Sequence, residues 1–238
     1  GPIPIIFHVV YNTSQENVSN ATIQMIFEQI NLDFQAQNTD YPTTHTNNYG
    51  FTIGNPDITF CLAQQDPQGN QLAEPGVERT FTNEIYDNPN TESNKMKYSA
   101  QGGADIWNRD SYLNVWICDI TDGAMSGTAG YAYVPLYFSG QWYLPDPNED
   151  GIVIDYNLGT YDGRTLTHEL GHYFGLSHTW ESISGSGGCG DDDGLTDTPN
   201  TAGPSFNYSG SCSGNQTTCS GIQTQYENHM DYSNCAIM

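Results

Sequence analysis

Apolar residues are grouped along the chain in segments whose length and spacing each predict one secondary-structure element. Residues 3–11 form a continuous β-branched and aromatic run bounded by turn residues, which is typical of a buried strand. Ser19 can cap a following helix whose apolar face repeats every three or four positions. We therefore expect a buried strand and then a long packing helix. The apolar face of that helix consists of Ile23, Ile26, Phe27, Ile30 and Phe34.

Four later segments predict further strands: residues 57–63, 112–118, 130–135 and 151–156. Cys61 and Cys118 lie in two of them, so we expect a disulfide between these strands, with two buried thiols as the alternative. Pro135 ends another segment, which favours an edge strand beside a cleft. Such an edge can bind an extended peptide through backbone hydrogen bonds, although an ordinary edge strand fits the pattern equally well.

The last amphipathic segment carries three of the six histidines of the chain. Leu166, Leu170 and Phe174 repeat every four residues and predict the core-facing side of a helix. His168 and His172 have the same spacing on another face of that helix. Both imidazoles can therefore bind one metal ion, for which zinc is the natural candidate.

The residues around these two histidines favour catalysis over packing. Glu169 follows the first histidine directly, within reach of a water at the metal, which is where a general base is needed. Gly175 can adopt a positive φ, end the helix and return His178 as a third nitrogen ligand. Two histidines four residues apart could be ordinary core residues, but a third one after a glycine serves few structural purposes. Three protein ligands leave one position on zinc for water or substrate.

Two strings in this part of the chain resemble a known family. Residues 168–178 (HELGHYFGLSH) resemble the zinc motif of the metzincin metalloendopeptidases, and residues 175–180 (GLSHTW) resemble more narrowly the pappalysin family, including its bacterial cytophagalysin-type members. Residues 228–233 resemble the Met-turn of that family. The resemblance implies that Met230 packs beneath the three imidazoles without binding the metal. It also implies that Tyr232 donates a hydrogen bond to the oxyanion formed during peptide hydrolysis.

The same resemblance implies the architecture. We expect an α+β, metzincin-like fold with a twisted mixed β-sheet, backing helices and the active-site helix in an upper lobe. A smaller, irregular lower lobe stapled by disulfides would complete a single catalytic domain over residues 1–238. The upper subdomain would span residues 1–175 and the lower subdomain residues 176–238, with substrate in the cleft between them.

Charge excludes two classes of partner. The chain has 5 Lys plus Arg against 28 Asp plus Glu, for a formal net charge of −23. This charge repels nucleic acids and anionic membrane surfaces, so we expect neither as a partner. The sequence contains no apolar run of about 18 residues and no basic region before the first strand, so we expect no membrane span or signal peptide in it.

Carboxylates are concentrated in residues 189–199, where they would repel one another without a counterion. Calcium is the hard, oxygen-seeking candidate, and a solvated acidic loop is the alternative. The segment also resembles the pappalysin segment that carries calcium ligands. The candidate calcium ligands are Asp191, Asp192, Asp193, Thr196 and Asp197.

The chain has six cysteines, four of them in the last fifty residues. This distribution indicates disulfides formed in an oxidising compartment, so we expect a secreted protein. A second zinc site is the competing interpretation, but no CxxC pair occurs. The family resemblance favours the pairs Cys189 with Cys219 and Cys212 with Cys235.

These observations predict a secreted, zinc-dependent metalloendopeptidase that acts as a monomer on proteins or peptides. Zinc would activate a water, and Glu169 would take up its proton and pass it to the leaving amine. A thermolysin-type enzyme would instead take its third ligand, a glutamate, from a later helix, and His178 at the metal would exclude it. A secreted calcium-binding interaction module with a structural zinc is the alternative from another class, but it would need a fourth protein ligand.

Overall fold

The computed structural model describes residues 1–39, 54–84, 86, 94–120, 127–157, 159–160, 163–182, 185–205, 218–222 and 224–232. Strand β1 (Ile3–Tyr11) contains six consecutive buried residues. Helix α1 (Asn20–Phe34) follows it, and the Ser19 side chain caps the helix by accepting a hydrogen bond from the backbone N–H of Thr22 at 3.1 Å. Both elements are as predicted.

A mixed sheet is built around β1. The other strands are β2 (Phe60–Leu62), β3 (Val77–Phe81), β4 (Leu113–Cys118), β5 (Gly130–Ala132), β6 (Leu136–Phe138), β7 (Gln141–Tyr143) and β8 (Ile152–Asp155). The strand order is β2-β1-β4-β8-β5, and β3 pairs with β1 beyond the end of β2. All these pairings are parallel except β5 with β8, which is antiparallel. Strands β6 and β7 form a separate hairpin. Among the described strands, β5 is thus an edge strand, as predicted from Pro135.

Two strand predictions near β1 were incomplete. The strand predicted over residues 57–63 is shorter than expected and spans Phe60–Leu62. Asp57 is excluded from it by a φ of 53°, a left-handed conformation that cannot continue a strand. Strand β3 was not predicted, because three of its five residues are polar. It pairs with β1 over five residues, and Arg79 within it donates to both carboxylate oxygens of Glu74 at 2.7 and 2.8 Å.

The expected disulfide between Cys61 and Cys118 is wrong, since both cysteines are free thiols. Cys61 lies in β2 and Cys118 in β4, and β1 lies between these two strands. Strands are spaced about 4.8 Å apart, so two strands separated by a third are about 10 Å apart. That distance exceeds the Cα separation a disulfide can bridge.

The two faces of the sheet are covered differently. One face packs against α1 and against α2 (Arg164–Tyr173), with Ile26 and Leu170 among the fully buried residues of this layer. The other face is covered by a segment with two short 3₁₀ turns, Lys95–Lys97 and Ser99–Gln101, which packs around Trp116. In the described part of the chain, the two α-helices therefore back the sheet on one side only.

The chain after α2 has a different character. Its described residues contain no further helix or strand, and a disulfide joins Cys189 to Cys219 with a Cα separation of 5.7 Å. This pairing was predicted, whereas the pair Cys212 and Cys235 lies outside the described residues. The α+β fold with a mixed sheet is confirmed. None of the helices in the described ranges is long and apolar enough to cross a membrane.

Candidate active site

Helix α2 presents one face to the core and another to a cleft. Leu166 and Leu170 are fully buried against the sheet, as the four-residue repeat predicted. Phe174 does not follow them, since it is 40% exposed just after the end of the helix, beside Phe34 of α1 at a ring distance of 5.7 Å. Helix α2 is also joined to α1, because the Thr167 hydroxyl donates a hydrogen bond to the Asp33 carboxylate at 2.7 Å.

The helix ends where the sequence predicted. Gly175 has a φ of 99°, a conformation that costs glycine little, and its N–H donates to the carbonyl of His172 at 2.8 Å. The N–H of Leu176 donates to the carbonyl of Gly171 at 2.9 Å. This reversal returns His178 to the face of α2 that carries the other two histidines.

Each of the three imidazoles uses its Nδ1 atom for a hydrogen bond. Nδ1 of His168 donates to the carbonyl of His229 at 2.5 Å, and Nδ1 of His172 donates to the carbonyl of Leu176 at 2.8 Å. Nδ1 of His178 donates to the Glu181 carboxylate at 2.7 Å. Because all three partners are acceptors, the proton of each neutral ring is on Nδ1.

The opposite nitrogens converge. One ring nitrogen from each histidine lies within 4.8 Å of the others, and Nε2 of His172 is 3.0 Å from Nε2 of His178. Since neither Nε2 carries a proton, two lone pairs face each other, and a cation between them would satisfy both. Burial lowers the pKa of His168 to about 3 and that of His178 to about 4, so protons do not compete at neutral pH. These residues fit a zinc ion.

Glu169 lies in the same cleft. Its side chain is 5% exposed, and burial raises the pKa of its carboxyl to about 8. A Cβ built on Gly130 of β5 would lie 3.2 Å from Cγ of Glu169, so the edge strand passes directly beside this side chain. The cleft has a volume of about 270 Å³ and is lined by the three histidines, Glu169, Glu181, Tyr232 and residues 130–132 of the edge strand.

The predicted Met-turn packs against α2. Met230 is buried, and a Cβ built on Gly171 would lie 2.3 Å from its Sδ atom, so only glycine leaves room for the thioether. The turn is held by Asn228, whose side-chain oxygen accepts a hydrogen bond from the N–H of Met230 at 2.9 Å. Asp231 accepts two backbone N–H groups, those of Ser205 and Tyr232, each at 2.7 Å.

Tyr232 borders the histidine cluster. Its ring centre is 4.7 Å from that of His178 and 5.6 Å from that of His168. The side chain is 43% exposed towards the cleft. Desolvation, together with the nearby Glu169 and Glu181 carboxylates, raises the pKa of Tyr232 to about 12, so its hydroxyl remains a hydrogen-bond donor at neutral pH.

Two residues of this site were not predicted from the sequence. Glu181 is the carboxylate partner of His178, and Trp180 stacks on the His178 ring with a centre distance of 4.5 Å and an interplanar angle of 5°. A carboxylate three residues after the third histidine was the available signal for Glu181. His229, for which the sequence suggested no role, supplies the carbonyl that orients His168.

The predicted calcium ligands are not assembled into a comparable cluster. Among the described residues, only the three histidines form a group of three or more His, Cys, Asp or Glu ligands within 4.8 Å. Asp191 instead accepts backbone N–H groups of Ser182 and Gly187 at 3.1 and 3.2 Å. Asp192 and Asp193 accept those of Gly194 and Leu195, at 2.6 and 2.9 Å. Thr196 and Asp197 are exposed on the same loop.

Known proteins resemble the chain in sequence. An extracellular metalloprotease of Arthroderma benhamiae is 26% identical over 240 residues, which is 95% of this chain and 63% of that protein. An extracellular metalloprotease of Neurospora crassa is 38% identical over 134 residues, 51% of this chain and 41% of that protein. The chain thus spans less than two thirds of the length of these curated relatives.

A solved structure and a family model also resemble the chain, and both belong to the same class of metalloproteases as these sequence relatives. Mature mirolysin of Tannerella forsythia in complex with a cleaved peptide is 37% identical, with a TM-score of 0.76 over 99% of this chain and 85% of that one. The model of the Peptidase M43 family, described as pregnancy-associated plasma protein-A, matches residues 96–238. The resemblance inferred from the zinc and Met-turn strings is therefore confirmed, and the chain belongs to the pappalysin (M43) family of metzincin metallopeptidases.

Proposed function

We propose that the protein is a secreted zinc metalloendopeptidase whose zinc ligands are His168, His172 and His178. The observation that carries this proposal is the convergence of unprotonated Nε2 atoms, 3.0 Å apart in His172 and His178, while every Nδ1 proton is donated elsewhere. Family membership supports it, because metzincins use a catalytic zinc.

The chain supplies the proton chemistry through Glu169. When bound, zinc would polarise a water and the substrate carbonyl, which makes attack on a peptide bond possible at neutral pH. Glu169 would accept the proton released by that water and deliver it to the nitrogen of the leaving amine. Burial raises the pKa of this carboxyl above its usual value, which makes its protonated form easier to reach for delivery of the proton to the leaving amine.

Tyr232 and the Met-turn would serve the same reaction. The Tyr232 hydroxyl, which stays protonated at neutral pH, would donate a hydrogen bond to the oxyanion that develops on the substrate carbonyl. Met230 would support the site from below by packing against Gly171 of α2 without contacting substrate.

Strand β5 would bind the substrate. It ends the strand order of the sheet in the described part of the chain and passes beside Glu169. An extended peptide can pair with such an edge through backbone hydrogen bonds. The mirolysin structure that resembles this chain contains a cleaved peptide, which supports proteins or peptides as the substrate class. Residues 1–175 would form the upper subdomain and residues 176–238 the lower one.

The chain after helix α2 bears on two further parts of the proposal, secretion and the binding of calcium. Its disulfide requires an oxidising compartment, and the curated relatives are named extracellular, which supports secretion. The proposed secreted form is a monomer. We also assign calcium to the acidic loop, with ligands drawn from Asp191, Asp192, Asp193, Thr196 and Asp197. Titration of zinc-loaded protein with calcium should raise its melting temperature, and Asp193→Asn should reduce that increase.

The proposal is tested by zinc content and cleavage of a denatured protein. The wild-type protein should hold one zinc per chain and cleave the substrate in a chelator-sensitive manner. Glu169→Gln should retain the zinc and lose activity by about a thousandfold, because the general base is absent. Glu28→Gln, at an exposed position on α1, is the matched control and should be fully active.

Two results would contradict the proposal. Full activity of Glu169→Gln would exclude the proton-transfer role of Glu169. Stoichiometric zinc without any cleavage by the wild-type protein would favour the alternative function, a secreted calcium-binding interaction module with a structural zinc.

A further inference from the structure

A buried lysine lies behind the edge strand of the cleft. Lys97 is 1% exposed, although the chain has only 5 Lys plus Arg in 238 residues. Its ammonium group is 4.9 Å from the ring centre of Tyr133, 5.0 Å from that of Trp116 and 5.7 Å from that of Tyr131. It also donates a hydrogen bond to the backbone carbonyl of Glu149. The cation is thus enclosed by three aromatic rings and one carbonyl, which we term the Lys97 cage.

The cage belongs partly to the edge strand. Tyr131 lies in β5, and Tyr133 follows the strand directly. Both hydroxyls are tied to the turn that carries the lysine, because Tyr133 accepts a hydrogen bond from the Asn94 amide at 2.7 Å and Tyr131 donates to Sδ of Met96 at 3.5 Å. Residues 94–97 therefore hold Tyr131 and Tyr133, whose side chains lie on the same side of the edge strand and its continuation.

The opposite side of the same strand faces the catalytic groups. Gly130 lies against Glu169, and residues 130–132 line the cleft. Among the described strands, only β8 pairs with β5, in the antiparallel register that places Tyr131 opposite Val153. A shift of β5 by a fraction of an ångström would therefore displace the peptide-binding edge relative to Glu169.

We propose that Lys97 is a positioning residue for peptide binding, whose caged ammonium group holds edge strand β5 in the position that pairs with substrate. This inference rests on the proposed peptidase function. The attraction between a cation and the faces of Tyr131 and Tyr133 depends on the charge of the lysine. An uncharged Lys97 leaves β5 tied by the hydroxyl contacts and by β8 alone.

The charge of Lys97 can be switched without mutation. Desolvation lowers its pKa to about 8, against the opposing effect of nearby acidic groups, so the ammonium is present at pH 7 and largely absent at pH 9.5. The titratable groups that face it are Glu149 and Asp150 before β8, Cys118 of β4, and the phenols of Tyr131 and Tyr133. Burial raises the pKa of Cys118 and of Tyr131 well above their usual values, so neither ionises in this interval.

The test measures peptide affinity without turnover. Zinc-loaded Glu169→Ala protein is titrated with a fluorescent twelve-residue peptide that spans a bond cleaved by the wild-type protein. This background also removes the carboxyl whose own pKa is about 8. Lys97→Met, a nearly isosteric change, should weaken peptide binding at pH 7 by roughly three- to thirtyfold. The peptide affinity of the protein that keeps Lys97 should fall by the same factor between pH 7 and pH 9.5. The peptide affinity of the Lys97→Met protein should not fall in this way.

Two controls separate positioning from general damage. Lys95→Met, on the same 3₁₀ turn, should leave peptide affinity unchanged. Acetohydroxamic acid, which binds at the metal and is too short to reach β5, should bind the Lys97 and Lys97→Met proteins equally. Equal peptide affinity of these two proteins at pH 7, or equal pH dependence in both, would overturn the inference. Failure of the wild-type protein to cleave any peptide would overturn the proposed function itself.

Discussion

Nδ1 of His178 donates its hydrogen bond to the Glu181 carboxylate at 2.7 Å, whereas the other two histidines of the cluster donate to backbone carbonyls. A carboxylate partner fixes the orientation of the ring and increases the electron density at the opposite nitrogen, which makes it a better metal ligand. His178 also follows the glycine turn and has no helix to hold it. Glu181 and the stacked Trp180 ring replace that support.

We therefore expect Glu181→Ala to weaken zinc binding by about 10- to 100-fold. Glu181→Gln keeps a hydrogen-bond acceptor and should fall between this variant and the wild type. The dissociation constant is measured by competition with a chromogenic zinc chelator, and Glu28→Ala on α1 controls for the loss of one negative charge. Equal zinc affinity of Glu181→Ala and Glu28→Ala would show that the hydrogen bond contributes nothing to metal binding.

The contact between Gly171 and Met230 predicts a steric effect. A Cβ at residue 171 would lie 2.3 Å from the Sδ atom, so Gly171→Ala should lower the free energy of unfolding by about 1–3 kcal/mol, despite the higher helix propensity of alanine. Gly203→Ala, where nothing lies within 4 Å, should be nearly neutral. Denaturant unfolding measures both. Shortening the thioether in Gly171→Ala/Met230→Ala should relieve the clash, and additive losses in the double variant would contradict this explanation.

The features that the sequence predicted correctly are those determined by residues close to one another along the chain. The spacing of His168 and His172, the cap at Ser19 and the turn at Gly175 each depend on neighbours within about one helical turn, so their geometry is encoded locally. The sequence also identified β5 as an edge strand, because Pro135 lies shortly after it.

The parts that were missed depend on which distant segments meet. Strand β3 is polar, and it pairs with the distant β1 and contacts Asn17 through Arg79, neither of which periodicity can show. The disulfide expected for Cys61 failed because the strand order places β1 between the two cysteines. Likewise, nothing in the polar segment around Lys97 indicated that its charge would lie within an aromatic cage.

The ring of Tyr232 beside His168 and His178 predicts a kinetic effect. Tyr232→Phe removes only the hydroxyl, so kcat should fall by about 10²- to 10³-fold with little change in KM, because the hydrogen bond would form only with the developing oxyanion. Steady-state kinetics with a quenched fluorescent peptide measures both constants, and zinc content should be unchanged. Tyr173→Phe removes a hydroxyl from α2 outside the cleft and serves as the control. A rise in KM with constant kcat would instead indicate that Tyr232 binds ground-state substrate.

The buried side chain of His229 should make the stability of the metal-free protein depend on pH. Its two ring nitrogens are buried, with no hydrogen-bond partner in the described ranges, and burial lowers its pKa from 6.5 to about 3. The unfolded chain therefore binds a proton between these values that the folded chain does not, so stability is complete above pH 6.5 and is lost as the pH falls towards 3. Between pH 7 and pH 5, protonation of this residue in the unfolded chain should lower the free energy of unfolding by about 2 kcal/mol. His229→Leu removes the titrating group, so its unfolding free energy, measured with chelator present, should fall less steeply over this interval. Parallel curves for the two proteins would show that His229 binds its proton equally well in the folded state.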